Sequence, residues 1–147
     1  MAGRLKLSPG WRMALVVALA APALAPATAA TLDGLWQNRK RTLDVAVAPC
    51  GAHYCGTVVA ARGEAAEQAG GRARIVGTRV LEDFAPGRDG IWRGRLYAPQ
   101  LHGHLSTKIR IVDENTIEIT TCLFAGLGCD SNLWRRIGEG RATASTR

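Results

Sequence analysis

Gly34-Leu35-Trp36, read together with Trp134-Arg135-Arg136 near the other end of the chain, decides the fold. A glycine two residues before a tryptophan opens the first apolar run after a long alanine-rich segment. A tryptophan flanked by arginines closes the last. In a closed antiparallel barrel the first and last strands become neighbours, because closure removes both edges. A guanidinium from Arg136 can then lie over the Trp36 indole, a contact worth about 0.5–2 kcal/mol depending on burial. Gly34, Trp36, Trp134 and Arg136 are therefore expected to be structural.

Between these ends lie short alternating runs separated by turn residues, the pattern of an all-β sandwich or barrel. Expected strands cover about Leu35–Asn38, Thr42–Ala48, Cys55–Ala61, Thr78–Phe84, Ile91–Tyr97, His104–Val112, Thr116–Cys122 and Leu133–Ile137. Strand two puts Leu43, Val45 and Val47 on one face and Thr42, Asp44 and Ala46 on the other, with Pro49 ending the ladder. Strand five turns Trp92, Gly94 and Leu96 one way and Arg93, Arg95 and Tyr97 the other. Strand six points Leu105, Thr107, Ile109 and Ile111 inward, and strand seven Ile117 and Ile119. Leu123–Asp130 reads as a loop. Arg62–Arg74 breaks the rhythm: Ala60–Ala69 has the composition of a short helix stopped by Gly70 and Gly71, or the stretch is a loop able to gate a site. The fold class is thus all-β, an eight-stranded up-and-down antiparallel lipocalin-like barrel with a short helix or loop after strand three. A sandwich is the competing fold, and the terminal tryptophans favour the barrel.

Residues 1–30 read as a Sec-type signal peptide, with Arg4, Lys6 and Arg12 before an apolar Met13–Leu24 and an A-x-A site at Ala27-Thr28-Ala29. The expected domains are the removed leader, one barrel over 31–138 and a disordered tail over 139–147, in the periplasm or secreted. The leader holds three of the 19 Lys+Arg and none of the 12 Asp+Glu, leaving 16 against 12, or +4. That modest charge, with no aromatic platform, argues against nucleic acid. The apolar run is too short for a comfortable span, so the protein is expected not to cross a membrane.

Cys50, Cys55, Cys122 and Cys129 make an even count in an exported domain, which reads as two disulfides with three possible pairings. Cys50–Cys55 and Cys122–Cys129 each flank a short turn-like stretch, and local geometry favours them. Chain entropy alone would favour a long-range link, at about 4.5 kcal/mol against about 2–2.5 for each short one.

Gly34-x-Trp36, Cys50-Gly51 with Cys55-Gly56, Trp92-x-Gly94-x-Leu96-Tyr97-x-Pro99, Gly103, Cys122…Cys129 and Trp134-x-Arg136 together resemble the exported bacterial family catalogued as domain of unknown function 2147. The resemblance covers essentially the whole mature domain and rests on the ordered series, not on any one piece. It implies a calycin, or lipocalin-like, barrel of uncharacterised activity. The chain departs from the family pattern in the Ala/Glu/Gly stretch after strand three, at Leu105 where an aromatic is expected, and at Thr121 where a glycine is.

No nucleophile elbow and no telling pair of carboxylates is present, so no enzyme activity is expected. His102 and His104 stand at i and i+2 without a third ligand, so neither a metal nor another cofactor is expected. Two roles remain. In the first, the interior holds a small apolar or amphipathic ligand among Trp36, Trp92, Leu96, Leu105, Ile109, Ile117 and Ile119, with Gly94 and Thr107 leaving room. In the second, the chain is a periplasmic interaction or inhibitor module. Its stapled loops and outer basic face (Arg93, Arg95, Lys108 and Arg110) would then meet an anionic envelope component or a protein partner.

Overall fold

Eight antiparallel strands follow one another around a closed barrel in the computed structural model, which describes residue 3, residues 31–124 and residues 126–138. The expected leader, apart from Gly3, and the expected tail lie outside the described residues. The strands are β1 (Gly34–Asn38), β2 (Leu43–Cys50), β3 (His53–Ala61), β4 (Arg79–Pro86), β5 (Trp92–Ala98), β6 (Gly103–Asp113), β7 (Thr116–Phe124) and β8 (Leu127–Gly138). Two short helices, α1 (Gly63–Gln68) and α2 (Arg72–Ile75), connect β3 to β4, and a 3-10 turn, Pro99–Leu101, connects β5 to β6. The barrel closes where β1 pairs with β8, placing Trp36 opposite Arg136 and Asn38 opposite Trp134.

The period-2 pattern dictates the interior. On β6 the odd positions Leu105, Thr107, Ile109 and Ile111 turn inward while Ser106, Lys108 and Arg110 are exposed. On β7, Ile117 and Ile119 are buried. Helix α1 forms from Ala, Glu and Gln, which lose little freedom in a helix. It ends where Gly70 and Gly71 take positive φ and return backbone N–H groups to Glu67 and Ala66.

An up-and-down barrel sends alternate connections to opposite ends. At one end the interior is plugged. Trp36 is 1% exposed and packs with Leu32, Val47, Phe84, Ile109 and Ile117. Its Nε1 donates to the Leu32 carbonyl at 2.9 Å. The Arg136 guanidinium lies 4.3 Å from the indole centroid. From there Arg136 donates to the carbonyls of Asp33, Thr31 (3.0 Å) and Glu114 (2.8 Å), so one side chain ties the start of the barrel, the β6–β7 turn and the last strand together. Gly34 adopts φ +151°, and a Cβ there would run into that guanidinium.

Three local expectations need correction. Pro49 does not end the β2 ladder: it pairs with Tyr54 and the strand runs to Cys50, a proline near a strand's end being the least disruptive place for one. Leu123–Asp130 is not a loop but the two arms of a hairpin, with Phe124 opposite Leu127 and Cys122 opposite Cys129. Adjacent apolar residues and two glycines hide its alternation. Asp44 does lie on the outer face, yet it is only 5% exposed, because Arg62 donates to it at 2.6 Å and Gln37 at 2.8 Å. Burial pushes its carboxyl up, but these hydrogen bonds and the Arg62 charge outweigh burial and hold it below the usual range.

The third correction concerns the room expected beside Gly94. A bulge in β4, with Asp83 at φ +57°, turns both Leu81 and Phe84 inward. The Phe84 ring then occupies the space over Gly94, where a Cβ would lie 2.6 Å from Phe84 Cδ2 and 2.6 Å from the Glu82 carbonyl oxygen. Gly94→Ala is expected to cost about 1–3 kcal/mol in urea unfolding, since a backbone oxygen cannot rotate away. A loss below about 0.5 kcal/mol would mean that β4 yields there freely.

Candidate functional site

The other half of the barrel is not filled. A cavity of about 440 Å³ occupies it, within the range of about 300–1,000 Å³ usual for ligand pockets. Its wall is largely apolar, made by Leu43, Val45, Ile75, Val80, Leu81, Leu96, Leu105 and Ile119. Gln68, Gln100, Thr121, Asp130 and Asn132 add polar groups to the lining, and Trp134 lines it as well.

The division between filled and open halves falls across several strands. On β4, Phe84 is in the plug and Leu81 on the cavity wall. On β5, Trp92 packs edge-on against Tyr54 with ring centroids 5.1 Å apart, while Leu96 faces the cavity. On β7, Ile117 is in the plug and Ile119 lines the cavity. Of the seven inward residues proposed from the sequence, Leu96, Leu105 and Ile119 line the cavity, whereas Trp36, Trp92, Ile109 and Ile117 pack the core and do not.

Three of the four connections at the mouth line the cavity. Helix α1 and its C-cap contribute Ala65, Gln68 and Ala69, the 3-10 turn contributes Pro99 and Gln100, and the β7–β8 hairpin contributes Leu123 and Gly128. The helix is tethered to the β1–β2 turn by a Lys40–Glu64 ion pair of 2.7 Å, exposed and so of small energetic weight. A second, more polar hollow of about 270 Å³ adjoins the first there, sharing Leu43, Ala65, Gln68, Asn132 and Trp134 and adding Arg39, Lys40 and Thr42.

Sequence reasoning missed Trp134 as a lining residue because it assigned that indole to barrel closure alone. It missed Asp130 and Asn132 because β8 begins at Leu127, well before its expected start. The i, i+2 spacing of Asp130, Asn132 and Trp134 was the available signal, but polar residues on an inward face read as outward ones. Both disulfides are the local pairs, Cys50–Cys55 and Cys122–Cys129, and they are consistent with an exported protein.

The remaining candidates are dispersed. His104 lies on the outer face with Nε2 3.1 Å from Glu82 Oε2, and His102 occupies a left-handed position after the 3-10 turn. Among the described residues no three His, Cys, Asp or Glu side chains gather as a metal set would. The basic outer face is largely neutralised: Arg93 pairs with Asp89 at 2.6 Å, Arg95 with Asp83 at 2.5 Å, and Arg110 with Glu118 at 2.7 Å. Hydrogen bonds from Arg93 hold the Asp89 carboxyl well below its usual range. No helix among the described residues is long and apolar enough to cross a membrane.

A closed eight-stranded up-and-down barrel, plugged at one end by a tryptophan under an arginine and hollow at the other, defines a calycin-like protein. The chain belongs to the bacterial family described as "Uncharacterized protein conserved in bacteria (DUF2147)", whose model matches residues 34–136. No curated protein and no solved structure matches the chain significantly.

Proposed function

We propose that this protein is an exported, periplasmic or secreted, binding barrel that holds a small amphipathic molecule with its apolar part in the open half. The observation that carries this reading is the 440 Å³ cavity, whose lining is largely apolar with a few polar groups among it. Burial of a ligand's apolar surface there supplies the drive, at roughly 25 cal/mol per Å². The few polar residues in the lining fix orientation. In this reading the barrel acts by binding, and no side chain is assigned a catalytic role. The alternative of docking through the outer wall of β5 and β6 has less support, because Arg93, Arg95 and Arg110 already face carboxylates.

The test is displacement of a fluorescent fatty-acid probe, together with mass spectrometry of the purified protein under native conditions. One probe per chain is expected. Leu105→Trp places an indole in the cavity and should weaken probe binding at least about tenfold, which is about 1.4 kcal/mol, while leaving the melting temperature nearly unchanged. Unaltered probe affinity in that variant, or no uptake by the wild type, overturns the reading.

A further inference from the structure

Four large apolar side chains stand exposed at the end of the barrel where the cavity opens. Phe124 is 77% exposed and Leu127 73%, both at the tip of the β7–β8 hairpin; Leu123 and Leu101 are 53% and 54% exposed. Leu101 belongs to the 3-10 turn between β5 and β6, and the other three to the ends of β7 and β8, so all four lie at the mouth end. A hairpin tip gains nothing intramolecular from a phenylalanine and a leucine left in water, and such rimmed apolar patches mark interaction sites. Cys122–Cys129 sits directly behind the tip and holds its two arms together, so the apolar pair is presented on a braced support.

Charge is distributed along the barrel axis in the same sense. The connections at the mouth carry Arg39, Lys40, Arg41, Arg62, Arg72 and Arg74 against Glu64 and Glu67. Of these cations, Lys40 and Arg62 are paired with carboxylates, whereas Arg39, Arg41, Arg72 and Arg74 face none within ion-pair distance among the described residues. The turns of the opposite end carry Arg88 against Asp33, Asp89 and Glu114, with Asp89 paired to Arg93 of β5. An apolar tip within a net cationic collar complements a surface that is anionic outside and apolar beneath. A second copy docking mouth to mouth would instead bring the two cationic collars together.

We propose that the mouth end of the barrel docks on an anionic lipid surface, with Phe124 and Leu127 entering the headgroup region and Leu101 and Leu123 at its boundary. The cavity then opens toward the lipid. Leu123 both lines the cavity and stands at the rim, so the exposed tip and the cavity wall share an apolar residue. The cavity reading gives the docking its purpose, but the docking itself rests on the exposed tip and the collar.

The experiment is cosedimentation of the full chain with vesicles of equimolar phosphatidylglycerol and phosphatidylcholine, against phosphatidylcholine alone. Wild type is expected to prefer the anionic vesicles and to lose that preference at high salt. Phe124→Asp with Leu127→Asp should lower vesicle affinity at least about tenfold. Both positions are exposed, so the melting temperature should hold. The residues before Thr31 are the same in every variant, so the difference isolates the rim. Phe124→Trp supplies a positional reading: its added emission should be quenched by lipids with brominated chains. Equal vesicle binding by wild type and the double variant, or no added quenching, overturns the proposal. So does a lipid-free dimer in sedimentation equilibrium that the double variant abolishes, since the tip then belongs to a second copy. Probe uptake without vesicles reads the cavity separately: a double variant that keeps the probe and loses the vesicles supports docking, and a wild type that binds vesicles but no probe rejects only the cavity reading.

Discussion

Trp36→Ala should cost about 3–5 kcal/mol, the range for truncating a large aromatic in a core. Three losses combine at that position. The indole is 1% exposed and packs within the plug, so its removal leaves a void that the rigid strands cannot close. The Leu32 carbonyl loses the N–H it accepts from. Arg136 loses the ring beneath it while keeping its three carbonyl partners. Trp36→Phe retains a ring and gives up the N–H donor, and should cost less. Urea unfolding followed by circular dichroism measures both. Because the plug occupies the half of the barrel away from the cavity, whatever protein stays folded should still take up the fatty-acid probe. A loss under about 1 kcal/mol for Trp36→Ala would show that the ring does not hold the closed end together.

Removing both disulfides should have an effect of similar size. The bridged cysteines are 5 and 7 residues apart in sequence, so chain entropy assigns about 2–2.5 kcal/mol to each bridge. Cys50–Cys55 closes the β2–β3 turn at the plugged end, and Cys122–Cys129 the hairpin at the mouth, so their contributions should add, to about 4–5 kcal/mol. Cys50→Ser with Cys55→Ser and Cys122→Ser with Cys129→Ser, singly and combined, allow that sum to be checked by urea midpoint. Dithiothreitol should destabilise the wild type and leave the fully substituted chain unmoved. A wild type whose midpoint ignores dithiothreitol would mean that neither bridge restrains the unfolded chain.

The two predictions differ in how far they could be foreseen. That Trp36 and Arg136 meet follows from two separated motifs and the topological requirement that a closed barrel join its ends. The cysteine pairing followed from local spacing. The inward faces of β5, β6 and β7 followed from strict alternation. Each is a local pattern or a consequence of closure, which residue order carries by itself.

The cavity was not legible in the same way. Periodicity states which side chains point inward but not how far along the axis each one sits. Leu105 and Ile109 share a face of one strand, yet one lines a hollow and the other is in the plug. Phe84 reaches the space over Gly94 only because a bulge at Asp83 shifts the parity of β4, and nothing in the spelling of that strand marks the shift. Asp44 is buried on the outer face only because Arg62, eighteen residues away, closes over it.

Residue order alone therefore determined the eight strands, their alternating faces, the meeting of first and last strand, and the two short covalent loops. Only the tertiary structure decided which half of the interior is filled, where it opens, and that exposed apolar residues and cations gather on the same rim. The physical reason is range. Strand alternation and short loops are set by neighbours in the chain, whereas a hollow and its rim arise from side chains on many strands and connections whose relative heights are fixed by the stagger and bulges of the closed sheet.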